Sequence, residues 1–131
     1  MKTLTRSKLA GVAAAIDARD RELRDELHAE LVQSGDQRYL DLAGSVHDLG
    51  DESAANGLID LQNALIQRHV RELRALEAAR MRLGAGAIDQ CADCGREIGL
   101  KRLMANPIAE RCIECQERLE KSHARGARPR V

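Results

Sequence analysis

The four cysteines constrain this chain more than any other feature, because they form two Cys-x-x-Cys pairs. The first pair is Cys91 and Cys94, and the second is Cys112 and Cys115. Two thiolates separated by two residues can turn toward one ion, and a second pair completes the tetrahedron that Zn²⁺ prefers in structural sites. Gly95, directly after the first pair, suits a tight turn whose backbone N–H groups face the sulfurs. The pattern therefore predicts one structural zinc ion.

The alternatives for these cysteines are two disulfides, a redox-labile dithiol or another metal. The stretch Met1–Thr5 leads into a charged segment without the apolar core of a secretion signal, so we expect a cytoplasmic protein. In a reducing cytosol, paired cysteines usually hold metal. Because four sulfur ligands leave no coordination position open for water, the ion is predicted to fold the module and not to catalyse.

The composition favours long helices over a large globular core. Tyr39 is the one aromatic residue among 131, and charged residues make up 32 % of the chain. This balance is typical of elongated or coiled-coil helical proteins. The formal net charge of +0 implies no general affinity for polyanions. A membrane helix is not expected, because no apolar run approaches the roughly 20 residues that spanning requires.

Apolar periodicity predicts the helices. Steps of three, four and seven indicate one helix from about Thr5 to His47 with a weak point at Gly35; two helices broken at Gly35 are the alternative. A second stripe begins at Leu58 and is expected to end at Gly84-Ala85-Gly86. A third helix is expected to begin within the second cysteine pair.

The chain is predicted to reverse between the two stripes. Gly50 allows a bend, and Asp51 can cap the following helix, which would bring Leu42 near Gly57. We therefore expect a mostly α fold. An antiparallel helical hairpin, or coiled coil, would occupy residues 1–86 with its tip near 48–51. Residues 87–131 would form a zinc-finger module with a C-terminal helix and a basic tail.

Acidic residues gather around this bend. Between Asp36 and Asp60 the only Lys or Arg is Arg38. A solvated turn with capping carboxylates explains the composition equally well. Carboxylates at the end of an arm of about 50 Å, however, could reach into a deep channel of a partner. The four histidines are expected to be surface helix residues, and no Ser-His-Asp or Cys-His arrangement can be identified, so an enzyme is not expected.

The assembled motifs resemble those of the DksA/TraR family of bacterial RNA polymerase regulators. The matching stretches are Asp48–Ser53, Cys91–Gly99, Lys101–Leu103, Ala105–Ala109 and Cys112–Cys115. The resemblance implies a protein that docks on RNA polymerase without reading promoter DNA and inserts its tip through the secondary channel to modulate initiation.

The same resemblance assigns roles to individual residues. The tip residues would be Asp48, Asp51 and Ser53, with Ser53 standing where the family commonly has Ala. Candidate polymerase contacts are Arg68, Lys101 and Arg102.

The resemblance also bears on the alarmone guanosine tetraphosphate. Family members that share an alarmone site with polymerase use basic residues at positions that correspond here to Ala75, Asn106 and Gln116. None of these is charged, so we expect little dependence on the alarmone.

Two other functions compete with polymerase regulation. Lys101, Arg102 and Arg111 would suit a nucleic-acid-binding zinc module, although the neutral charge and missing aromatics argue against it. A coiled-coil structural adaptor is the other alternative, and Gly35 and Gly44 interrupt the continuous stripe that it would need. We expect a monomer that binds no specific DNA sequence.

Overall fold

The fold is mostly α-helical, as predicted. The structure is a computed structural model and describes residues 4–48 and 52–126. Its helices are α1 (Arg6–Gln33), α2 (Gln37–Ala43), α3 (Glu52–Ile59), α4 (Ala64–Gly84), α5 (Leu100–Ala105) and α6 (Ile113–Gly126), and a 3-10 turn covers Val46–Asp48. Within these two ranges the chain has no β-strand, although an isolated antiparallel bridge joins Gln90 and Glu97. Among the described residues we find no helix that combines the length and the apolar character needed to cross a membrane.

The chain divides into two compact units, which we call the helical unit and the zinc unit. The helical unit is Ala14–Ala78, and the zinc unit combines Met1–Ala13 with Ala79–Val131. Each unit has its own apolar interior. In the helical unit the fully buried large side chains are Ile16, Leu23, Leu27, Leu31, Val46, Leu58, Ile66 and Leu76. In the zinc unit they are Val12, Ile88 and Leu103.

The prediction of one continuous first helix is wrong, and the alternative of two helices broken at Gly35 is confirmed. Gly35 adopts φ +69°, a left-handed conformation that suits glycine at the end of a helix. Asp36 then caps α2, and its side chain accepts a hydrogen bond of 2.9 Å from the backbone N–H of Arg38. Gly35 and Asp36 therefore end α1 and start α2, although the apolar periodicity continues in phase from one helix to the next.

The second predicted helix is also interrupted, between α3 and α4. Gln62 has φ 56°, and Asn63 begins the next helix by accepting hydrogen bonds from Leu65 N–H at 3.0 Å and Ile66 N–H at 3.1 Å. Asn is a preferred N-cap residue, and this signal was present in the sequence. The predicted end of the second stripe is confirmed by Gly84, and α6 begins at Ile113, inside the second cysteine pair as expected.

Antiparallel pairing within the helical unit places charged side chains of α1 against α4. Arg19 makes a bidentate pair with Glu72, with distances of 2.9 and 3.2 Å. The N–O distances from the ring of His69 are 3.2 Å to Glu26 and 3.1 Å to Glu30. The His69 side chain is only 12 % exposed, so the prediction of a surface histidine is wrong at this position. The hydrogen bond between Nε2 of His69 and Glu26 helps to accommodate the ring, whereas Nδ1 and the nearby Glu30 oxygen are not hydrogen-bonded.

The predicted pairing across the bend is confirmed at one position. A Cβ added to Gly57 of α3 would lie 3.5 Å from Cδ2 of Leu42 in α2. That spacing is ordinary van der Waals contact. The two short helices therefore meet where a bend at Gly50 was predicted to bring Leu42 near Gly57.

Candidate functional site

The four cysteines converge on one point of the zinc unit. Their Sγ atoms all lie within 4.8 Å of one another, and Sγ of Cys94 lies 3.7 Å from Sγ of Cys112. All four belong to the described part of the chain, and none forms a disulfide. Cys91 and Cys115 are buried, and Cys94 is exposed. The disulfide alternative is therefore not realised.

This geometry fits zinc. Four thiolates at about 2.3 Å from a tetrahedral Zn²⁺ lie about 3.8 Å from one another, close to the distance between Cys94 and Cys112. The four cysteines hold one structural zinc ion, and four sulfur ligands complete its coordination. Zinc supplies the cross-link between the two halves of the module and offers no open position to a substrate.

Local backbone geometry prepares the first cysteine pair. Gly95 has φ +75°, which confirms the glycine-dependent turn, and its N–H donates to the carbonyl of Cys91 at 3.1 Å. Cys91 N–H donates to the carbonyl of Arg96 at 2.8 Å, and Ala92 N–H donates to that of Glu110 at 2.8 Å. The last bond links the first pair to the segment that leads into the second pair.

The surroundings shift the pKa values of two cysteine thiols in opposite directions. Burial alone would raise the pKa of Cys91, but hydrogen bonds from the backbone N–H groups of Cys94, Cys112 and Asp93 lower it to about 6. The pKa of Cys115 is raised to about 12, first by its hydrogen bond to Cys112 and then by burial.

Two arginine side chains form hydrogen bonds between different segments of the zinc-finger module. Nε of Arg111 donates to Oδ2 of Asp93 at 2.8 Å, and Nε of Arg102 donates to the carbonyl of Arg111 at 3.0 Å. The sequence offered Arg102 as a candidate polymerase contact and Arg111 only for the alternative of a nucleic-acid-binding module. Their side chains link the first cysteine pair, helix α5 and the approach to the second pair. The helix α5 itself was not predicted.

The structure describes the predicted tip only in part. Asp48 ends the 3-10 turn and Ser53 lies in α3, but their side chains lie outside the description. Asp51 lies outside the described residues. The roles of these three residues therefore stay predictions.

The predicted polymerase contacts and two of the alarmone positions differ in their surroundings. Arg68 on α4 and Lys101 on α5 are exposed, and Arg102 is half-buried. Lys101 and Asn106 share a groove of about 430 Å³ with the exposed side chain of Ile113. Nε2 of Gln116 donates to Oε1 of Glu120 at 3.2 Å.

Comparison with known proteins identifies the zinc module. Residues 82–121, which include all four cysteines, match the prokaryotic dksA/traR C4-type zinc finger. The chain is also 30 % identical in sequence to transcription factor DksA2 from Pseudomonas aeruginosa, over 86 % of this chain and 92 % of that one, with a TM-score of 0.47. The chain belongs to the DksA/TraR family. The resemblance drawn from the sequence is confirmed.

Other DksA/TraR relatives extend the match beyond the zinc finger. RNA polymerase-binding transcription factor DksA of Escherichia coli strain K12 is 26 % identical over 113 residues, covering 86 % of this chain and 72 % of the relative. The protein of the same name from Haemophilus influenzae is 25 % identical over 99 residues, covering 73 % of this chain and 68 % of the relative. Both matches are too long to be confined to the zinc finger.

Proposed function

We propose that this chain is a monomeric cytoplasmic regulator of bacterial transcription that binds RNA polymerase directly. In this proposal residues 1–86 form the helical hairpin, whose tip enters the secondary channel. Residues 87–131 form the zinc-finger module. Asp48 and Asp51 at the tip modulate initiation near the active centre. The observation that carries the proposal is the match over 86 % of the chain to a relative named for binding RNA polymerase.

The chemistry of the described residues supports a binding protein over an enzyme. The zinc shell is closed by sulfur, so the ion has no position for a substrate or water. Exposed Arg68 and Lys101 provide one cation on each unit for an acidic protein surface. Exposed charges of this kind govern association and orientation more than affinity. No sequence-specific DNA contact is part of the proposal.

Binding to core RNA polymerase is the direct test. Immobilised core enzyme should retain the chain at low salt, and an Arg68→Ala and Lys101→Ala double variant should be retained less well. Arg38→Ala is the matched control, because it removes an exposed cation of the helical unit that already pairs with Asp36 at 3.2 Å. Absence of binding by the unaltered chain would reject the proposal. Salt-dependent binding to DNA without binding to polymerase would favour the nucleic-acid-binding module instead.

We further propose that regulation depends little on guanosine tetraphosphate. A ligand with several phosphates needs Lys or Arg donors, and charge-assisted bonds contribute about 1.5–3 kcal/mol each. Ala75 offers no side-chain donor, Asn106 is neutral, and the amide of Gln116 already donates to Glu120. Loss of such contacts should weaken the alarmone site by orders of magnitude.

In-vitro transcription with a polymerase that lacks its other alarmone site tests this expectation. The alarmone should add little to the effect of the unaltered chain. An Asn106→Arg and Gln116→Lys double variant supplies two of the missing cations and should gain a response. A large alarmone effect that requires the unaltered chain would contradict the proposal.

A further inference from the structure

One turn of α1 holds the segment that leads into the predicted tip. Nη1 of Arg24 donates a hydrogen bond of 2.8 Å to the carbonyl oxygen of Val46. Arg24 is itself held by Asp20, one helical turn earlier, through its Nε and the Asp20 carboxylate. Nε2 of His47 lies 2.8 Å from Oδ1 of Asp25, the neighbour of Arg24. Two consecutive residues of the 3-10 turn are thus tied to two consecutive residues of α1.

The Arg24 contact is the stronger of the two. The side chains of Arg24 and Asp20 are only 18 % and 15 % exposed, so water competes weakly for them. Val46 itself is fully buried. In contrast, His47 and Asp25 are 53 % and 73 % exposed, and an ion pair at such positions contributes little. A hydrogen bond from a charged donor favours the held turn by about tenfold or more.

The turn needs such an external support. Helix α2 ends at Ala43, where Ser45 N–H and Ser45 Oγ both donate to the carbonyl of Leu42. The following 3-10 turn, Val46–Asp48, has only three residues. Short 3-10 segments have poorer hydrogen-bond geometry than α-helices, so their own bonds fix their direction weakly. Anchoring the carbonyl of Val46 fixes the backbone two residues before Asp48.

We propose that Arg24 is a positioning residue for the regulatory tip, acting on Asp48 through the carbonyl of Val46. The proposal rests on the proposed function, in which Asp48 acts near the polymerase active centre. A held turn fixes the backbone that leads into Asp48 before binding, so less ordering is required inside the channel. Arg24 therefore contributes to the size of the transcriptional effect and little to docking.

The test is Arg24→Gln, measured for binding and for transcription separately. Polymerase affinity should stay within about twofold, because docking residues are unchanged, while the maximal effect at saturating protein should fall by about fivefold or more. Arg24→Lys keeps the charge and one donor and should recover part of that effect. Arg19→Gln is the matched control, since it removes an arginine of the same helix whose described ion pairs are with Glu22, Glu26 and Glu72. It should retain the full effect.

A measurement on the protein alone separates this inference from the proposed function. Backbone order parameters of residues 46–48 should drop in Arg24→Gln from about 0.85, typical of rigid backbone, toward about 0.6, and stay high in Arg19→Gln. Unchanged order in Arg24→Gln would overturn the inference even if polymerase were never bound. Equal losses of transcriptional effect in both variants would also overturn it, because general loosening of the hairpin would then be the cause. If the unaltered chain does not bind polymerase, the proposed function fails while the order measurement still decides whether Arg24 holds the turn.

Discussion

Cys112→Ser is expected to release zinc and unfold the zinc module. The parent should hold one zinc per chain, and the variant less than half an equivalent after purification under reducing conditions. The reason is that the module has few large buried side chains, chiefly Ile88 and Leu103, so metal binding must supply most of its folding free energy. Structural zinc in small modules contributes about 10 kcal/mol or more, which exceeds the net stability of most such domains. Metal analysis and thermal unfolding measure both effects.

Glu114→Gln is the matched control for that change. Glu114 lies between Cys112 and Cys115, is exposed, and approaches Arg96 only at 3.9 Å. An exposed pair of this kind contributes little, so the variant should keep its zinc and its unfolding temperature. A Cys112→Ser variant as stable as the parent, or a parent with less than half an equivalent of zinc, would contradict the assignment.

The zinc centre was predictable because each pair of its ligands lies within a short stretch of sequence. Each Cys-x-x-Cys pair is four residues long, and Gly95 carries its own backbone requirement, so spacing alone indicated a common ion. The hydrogen bonds that complete the site could not be predicted in the same way. Contacts such as Arg111 to Asp93 and Arg102 to the carbonyl of Arg111 depend on how the intervening chain folds. The sequence therefore did not reveal that these two arginines hold parts of the module together.

The helices show where periodicity misleads. The stripe remains in phase across Gly35, yet Gly35 and Asp36 together end one helix and start another. Asn63 likewise starts α4 by capping its first turn. Periodicity reports which face is buried and is insensitive to a break that preserves the phase, whereas capping residues report the break. Greater weight on capping residues favours the two-helix alternative at Gly35 and predicts the second interruption at Asn63.

The half-buried position of His69 was missed for a different reason. His69 lies on α4 and its acidic partners Glu26 and Glu30 lie on α1, far away in sequence. Only the register of the two helices brings them together. The predicted pairing of Leu42 with Gly57, continued along the two helices, places position 30 opposite position 69. The contact between His69 and Glu30 could therefore be predicted from the register of the hairpin. The acidic side chains on α1 explain why the fold tolerates the half-buried imidazole of His69.

Asp51→Asn is expected to abolish the effect on transcription while leaving the fold and polymerase binding nearly unchanged. Asp51 directly precedes α3, which begins at Glu52, so the sequence predicts it as the N-cap residue. Asn caps a helix about as well as Asp, whereas loss of a cap costs about 1 kcal/mol. The substitution therefore removes a charge at the tip and little stability. Thermal unfolding, polymerase affinity and in-vitro transcription at saturating protein test the three expectations separately.

Asp36→Asn makes the same chemical change at another helix start and serves as the control. Asp36 caps α2, and its pKa is lowered by hydrogen bonds from the side chain and backbone N–H of Arg38. Asn can keep the backbone cap, so this variant also loses one negative charge without losing its helix start. If the tip carboxylate itself acts near the active centre, Asp36→Asn should regulate normally while Asp51→Asn does not. Equal loss in both variants would point to overall charge, and full regulation by Asp51→Asn would remove Asp51 from the proposed mechanism.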